Sequence, residues 1–115
     1  MKDETFLLKK IIDYCDDIDD TITFFGNDEE TFHSTVIFQR SCAFNLLQIG
    51  EIVKSLSPDI KKRYENVNWR GISGFRDIIA HNYGNVQQDA LWVTITEKIP
   101  ELRKVCEEII SERSV

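Results

Sequence analysis

Leu8, Ile11, Cys15, Ile18, Ile22 and Phe25 recur at steps of three and four residues, the spacing that lines side chains along one face of an α-helix. A chain whose first quarter is such a stripe must bury it against other helices, because no sustained strand-like alternation follows it. Asp13, Asp16, Asp17 and Asp20 fall mostly on the opposite side. The run Asp16-Asp17-Ile18-Asp19-Asp20 spreads around the helix without the spacing of a calcium loop and reads as a solvated face. Asp3 is the expected N-cap.

Gly26-Asn27-Asp28 reads as a helix end followed by a new N-cap, with Glu29 and Glu30 in the next first turn. The second helix is expected from about Asp28 to Leu56, burying Phe32, Val36, Ala43, Leu46, Leu47, Gly50 and Val53. An interior glycine costs about 1 kcal/mol against alanine, so Gly50 predicts a close backbone approach by another helix. Ser57-Pro58-Asp59 opens a short helix through Tyr64. After a connector at Asn66-Val67-Asn68, a helix is predicted from Trp69 to Asn82, with Gly84 as its C-cap. Residues 87–112 complete the pattern, with a kink expected at Ile99-Pro100. The fold class that follows is all-α, an antiparallel bundle of four to five helices.

With 115 residues, the chain is expected to be a single domain spanning 1–115. No apolar run approaches the roughly 18 residues that span a bilayer, so no membrane segment is expected. Acids and lysines interrupt the N-terminus before a signal-peptide core can form, which predicts a cytoplasmic protein. Cys15, Cys42 and Cys106 are odd in number and sit in apolar helical patterns, favouring reduced thiols in a core. No CxxC or HxxxH spacing supports zinc, and no glycine-rich loop or other cofactor motif is present. The net charge of −6 argues against a protein that coats nucleic acid. Its distribution is uneven: residues 1–34 carry three basic and ten acidic side chains, residues 51–83 six basic and four acidic.

The basic half contains Arg76-Asp77-Ile78-Ile79-Ala80-His81-Asn82-Tyr83. Guanidinium stays protonated and offers a planar fork of donors to phosphate oxygens. Imidazole, with an ordinary pKa of about 6.5, exchanges protons near neutrality. Together they suit RNA cleavage without metal, the imidazole taking the 2′-OH proton and the arginine stabilising the phosphorane charge. On a regular helix Asp77 and His81 lie about 40° apart, close enough for Asp77 to hold the imidazole tautomer. Arg76 and Tyr83 nearly eclipse, at about 20°, but Arg76 and His81 diverge by about 140°. Convergence then needs either a loosened helix near His81 or a two-fold partner that brings two motifs to one cleft. The plainer reading pairs Arg76 with Asp77 or a neighbouring helix, leaves His81 to cap or pack, and puts Tyr83 in the core. Glu51 and Lys54, one turn apart, read as cleft residues or as a surface pair, the latter favoured for Lys54. Trp69 reads as a core anchor more readily than as a base-stacking platform.

With Leu46-Leu47-Gln48-Ile49-Gly50-Glu51, Trp69-Arg70-Gly71-Ile72-Ser73-Gly74-Phe75 and Ile99-Pro100-Glu101-Leu102, this motif resembles the HEPN superfamily, and within it the HepT-like toxins of toxin-antitoxin pairs. The resemblance covers nearly the whole chain. It implies a two-fold homodimer with a ribonuclease site of Arg76 and His81, supported by Asp77 and needing no metal or cofactor. It also implies an RNA substrate and a partner antitoxin, a nucleotidyltransferase of MntA type that silences the toxin by adding AMP to Tyr83. Asn82 and Gly84 stand where relatives often carry an acidic and a bulkier residue. A non-catalytic helical module holding a nucleotide or a partner protein in the same cleft is the alternative.

Overall fold

The N-terminal stripe forms α1 (Thr5–Phe25) in the computed structural model, which describes residues 4–113. Leu8, Ile11, Cys15, Ile18 and Ile22 are buried, while Phe25 is half-buried and stacks on Phe38 at 4.9 Å between ring centroids. Asp3 lies outside the described residues. Glu4 occupies the cap position instead, and its carboxylate accepts a hydrogen bond from the Ser57 N–H at 2.6 Å. Gly26 ends α1 and alone among the described residues has a positive φ, 112°, a conformation glycine adopts without steric cost. Asp28 caps the next helix through the Thr31 N–H, and the hydrogen bond from the Thr31 hydroxyl, and after it that N–H, holds its carboxyl below the usual carboxylate range.

The single long helix expected from Asp28 to Leu56 is instead two, α2 (Glu29–Ser34) and α3 (Val36–Ser55), separated by extended Thr35. Side chains supply the bonds that the break removes. The Gln39 amide donates to the Phe32 and His33 carbonyls at 2.8 and 3.1 Å, and the Ser34 hydroxyl donates to Glu30 and Thr31 carbonyls. The β-branched run Thr35-Val36-Ile37 also loses rotamer freedom in a helix. Restarting at Val36 turns that residue outward, 51% exposed, and buries Phe38 and Cys42 in its place. Ala43, Leu46, Gly50 and Val53 are buried as expected, and Leu47 half-buried.

α4 (Pro58–Arg63) begins at a Ser57 cap, and α5 (Trp69–His81) at Asn68. A 3₁₀ turn, Tyr83–Asn85, follows, so Gly84 lies inside that turn and does not cap α5. The last rod is α6 (Gln88–Val93), a π turn (Thr94–Lys98) and α7 (Ile99–Arg113), continuous in helical backbone. The kink expected at Ile99-Pro100 is thus taken up just upstream. Pro100 has no N–H to give to the carbonyl four residues back, and the wider turn shifts the hydrogen-bond register before it.

All regular structure among the described residues is helical, in six rods where four to five were expected, the break at Thr35 adding one. α3 packs on both α1 and α5, and α1 packs on α7. No helix among the described residues is long and apolar enough to cross a membrane. The three cysteines are free and buried, and burial pushes the Cys42 and Cys106 thiols up to about 12 and Cys15 higher still, which leaves them inert packing groups. Of the acidic run, Asp16 departs from a purely solvated role by accepting from Arg103 Nε at 2.7 Å.

Candidate active site

The helix that carries the motif is fixed at its start. The Asn68 carboxamide accepts from the Gly71 N–H at 2.9 Å, and buried Trp69 donates its indole N–H to the Tyr64 carbonyl at 3.0 Å. Trp69 is therefore a core anchor, with no face available for stacking a base. From there α5 crosses α3 at Gly50. A Cβ at Gly50 would stand 2.2 Å from Arg76 Cβ, 2.7 Å from Arg76 Cγ and 3.3 Å from the Ile72 carbonyl oxygen. The predicted close approach is real, and the group that approaches is the arginine of the motif.

Arg76 lies on this seam with its side chain 20% exposed. A guanidinium so far removed from water needs anionic partners. It has two: Glu51 Oε2 at 2.9 Å from Nη2, and Asp77 Oδ1 at 3.2 Å from Nη1. Its Nε is buried and has no hydrogen-bond partner among the described residues. Lys54 donates to the same Asp77 oxygen. The Lys54 hydrogen bond, and after it the one from Arg76, holds the Asp77 carboxyl below the usual carboxylate range. Glu51 and Lys54 do not form a surface pair with each other. Each faces α5, Glu51 toward Arg76 and Lys54 toward Asp77, in a four-residue network of alternating charge.

His81 is the last residue of α5, exposed, and its side chain makes no hydrogen bond or ion pair among the described residues. Asp77 makes no contact with it among the described residues and instead accepts from Lys54 and Arg76, both at Oδ1. The helix does not loosen before His81 either: α5 is regular to that residue, and the Asn82 N–H still reaches the Ile78 carbonyl. One chain therefore keeps Arg76 against α3 and His81 in solvent.

Tyr83 lies beyond the helix, after Asn82 turns to φ −160°, so the helical projection that set it beside Arg76 does not apply. Its ring lines a shallow apolar depression of about 270 Å³ with Arg40, Ala43, Phe44, Leu47 and Ile79. The hydroxyl is buried and meets no hydrogen-bond partner among the described residues. Of its lining residues Phe44 is 58% exposed, and Ile37 of α3 and Ile78 of α5 are exposed by 68% and 49%. Sequence reasoning left Glu51 open between the cleft and a surface pair, and favoured the surface pair for Lys54, whose partner is Asp77. The available signal was Gly50, since the neighbours of a close-approach glycine project toward the helix that approaches.

Residues 11–109 match the family model described as Ribonuclease HepT-like. A protein of Caldanaerobacter subterraneus subsp. tengcongensis, provisionally named an RNase, is 31% identical over 112 residues, covering 97% of this chain and 98% of that protein. Another provisionally named RNase, from Methanocaldococcus jannaschii, is 33% identical over 112 residues, 96% of this chain and 90% of its own. A shorter match, 36% identical over 55 residues, covers 48% of this chain and 50% of a Thermococcus cleftensis protein provisionally named ribonuclease HepT. No solved structure matches the chain significantly.

Proposed function

Because the chain belongs to the Ribonuclease HepT-like family, we propose that it is an RNA endonuclease whose site pairs Arg76 of one protomer with His81 of a two-fold partner. The observation that carries this reading is the contrast along α5. Arg76 is held in one orientation over Gly50, while His81 projects into solvent with no partner among the described residues. A regular helix separates them by about 140°, and a two-fold operation supplies the convergence that one chain lacks. The exposed Ile37 and Phe44 of α3 and Ile78 of α5 support such a contact, since exposed apolar side chains gain by being covered.

In the proposed reaction the His81 imidazole takes the proton of a ribose 2′-OH as that oxygen attacks the adjacent phosphorus. The P–O5′ bond breaks, a 2′,3′-cyclic phosphate forms, and the imidazolium returns its proton to the departing 5′-oxygen. Arg76 offers its fork to the pentacoordinate phosphorane. The phosphate then replaces Glu51 and Asp77 as acceptor, and Lys54 keeps the displaced Asp77 paired. Every proton and charge in this scheme is handled by side chains, so no metal ion is required.

The same reading makes the protein the toxin of a two-component pair. Its antitoxin is a nucleotidyltransferase of MntA type. The Tyr83 phenolic oxygen attacks the α-phosphorus of ATP, its proton passing to solvent as pyrophosphate leaves, and the resulting bulky, negatively charged phosphodiester repels the RNA backbone. The occupied fork of Arg76 favours one other reading, a cleft that binds a nucleotide or protein and cleaves nothing. Incubating purified protein with RNA in EDTA, beside His81→Ala, decides between them. Cleavage by the parent and not by the variant is expected; equal cleavage by both, or none by either, defeats the ribonuclease reading.

A further inference from the structure

His33, the other histidine, stands one turn from Glu29 on α2, and the packing of α2 on α6 brings it to Asp89, 56 residues later. His33 Nε2 is 3.3 Å from Glu29 Oε2 and 3.0 Å from Asp89 Oδ1, and the three donor atoms all lie within 4.8 Å of one another. We propose that Glu29, His33 and Asp89 form a site for a first-row divalent cation of the zinc type, which ties α2 to α6.

The geometry suits such an ion. Bonds of about 2.0–2.2 Å from a tetrahedral centre put neighbouring donor atoms roughly 3.3–3.6 Å apart, close to the two separations found. The charge suits it as well. Among the described residues, His33 is the only ion-pair partner of either Glu29 or Asp89, so a neutral imidazole leaves two adjacent carboxylates uncompensated. Asp28 and Glu30 flank Glu29 and add to the negative field. The frame beneath is rigid. Phe32, fully buried next to His33, packs on Trp92 of α6 at 5.1 Å and on Phe38 at 4.9 Å between ring centroids. The two helices that carry the ligands are thereby seated on one aromatic cluster before any ion arrives.

An imidazole nitrogen beside two carboxylate oxygens selects zinc, cobalt or nickel over magnesium and calcium, which prefer all-oxygen shells. Three protein ligands leave a fourth position for water. None of the three residues takes part in the Arg76 network, so the ion is a clasp between helices and has no part in proton transfer. Its second effect is local. Asp89 lies in the first turn of α6, a few residues after the Tyr83–Asn85 turn, so a bound ion anchors the helix that follows the segment on which Tyr83 sits.

The test uses the untagged full chain and Zn²⁺ alone, by isothermal titration calorimetry at neutral pH, with Trp92 emission as a second readout. One ion per chain is expected. His33→Ala and Asp89→Asn should each weaken uptake by at least about tenfold, since even indirect supports of metal ligands are worth that much. His81→Ala should bind as the parent does. Asp89 is 87% exposed, and its variant should keep the parental circular dichroism. No saturable uptake overturns the proposal, as does uptake that survives both His33→Ala and Asp89→Asn or is lost in His81→Ala. Because binding is read directly, none of these outcomes depends on RNA cleavage.

Discussion

The two ends of the motif on α5 are built to different standards. At Arg76 the backbone is pressed against α3 where Gly50 has no side chain, and the guanidinium is held by Glu51 and Asp77. Five residues on, His81 ends the helix with no contact to orient it among the described residues. The arginine has lost its rotamer freedom before substrate arrives, which lowers the entropic cost of using it, but carboxylates occupy its fork. The histidine keeps its freedom. On the proposed reading, charge stabilisation is preorganised in the chain and proton transfer is left to assembly with a two-fold partner.

The comparison breaks most visibly under alanine. Arg76→Ala and His81→Ala should each lower RNA cleavage by roughly two to four orders of magnitude, the range for losing a charge stabiliser or an acid-base group. Only the arginine variant should also shift the NMR titration of Asp77, because His81 touches nothing in that network. If mixing the two variants restores part of the activity, one site draws on two protomers; if mixing restores none, the site needs both groups from the same chain.

Gly50→Ala sharpens the contrast without touching either group. Its methyl collides with Arg76 Cβ, so helix separation should cost about 1–3 kcal/mol in denaturant unfolding. A displacement near 1 Å at Arg76 should lower cleavage by up to about 100-fold. An active variant of parental stability would show that the seam is slack.

A smaller effect concerns Asp77 itself. A depressed carboxyl stabilises the fold above the ordinary value of about 3.9, and this stabilisation is lost as pH falls through the lower folded value. Lys54→Met removes the larger cause of the depression. The Asp77 midpoint in side-chain NMR should move up, and the arginine end should loosen at a higher pH than in the parent. An unmoved midpoint would mean that Arg76 alone sets it.

Tyr83→Phe should have the smallest effect on folding, within about 0.5 kcal/mol or slightly stabilising, since the hydroxyl removed is buried without a partner. In the presence of the nucleotidyltransferase and ATP the parent should gain AMP mass by intact-protein mass spectrometry, and this variant none. An equal adduct on the variant would place the acceptor elsewhere.

What the sequence made legible was whatever repeats. The stripe of α1, the caps at Asp28 and Ser57, and the close approach at Gly50 follow from periodicity or from residues with one strong preference. The break at Thr35 was hidden, because an apolar pattern runs through it without glycine or proline and the signal lay in Gln39, four residues on. Lys54 was misread because its neighbour in sequence offered a plausible partner, while its real one is 23 residues away. The cluster of Glu29, His33 and Asp89 has no spacing to recognise, since half the chain separates its members. Arg76 and His81 were named as a site from their chemistry, and their separation within one chain was already implicit in helix geometry.

The buried hydroxyl of Tyr83 turns modification into a question of time. A reagent that needs the phenolic oxygen meets it only while the Tyr83–Asn85 turn is open, so the apparent rate scales with the fraction of molecules opened. Amide hydrogen exchange across that turn measures the same fraction, and the two rates should rise and fall together under any change that leaves the tyrosine itself untouched.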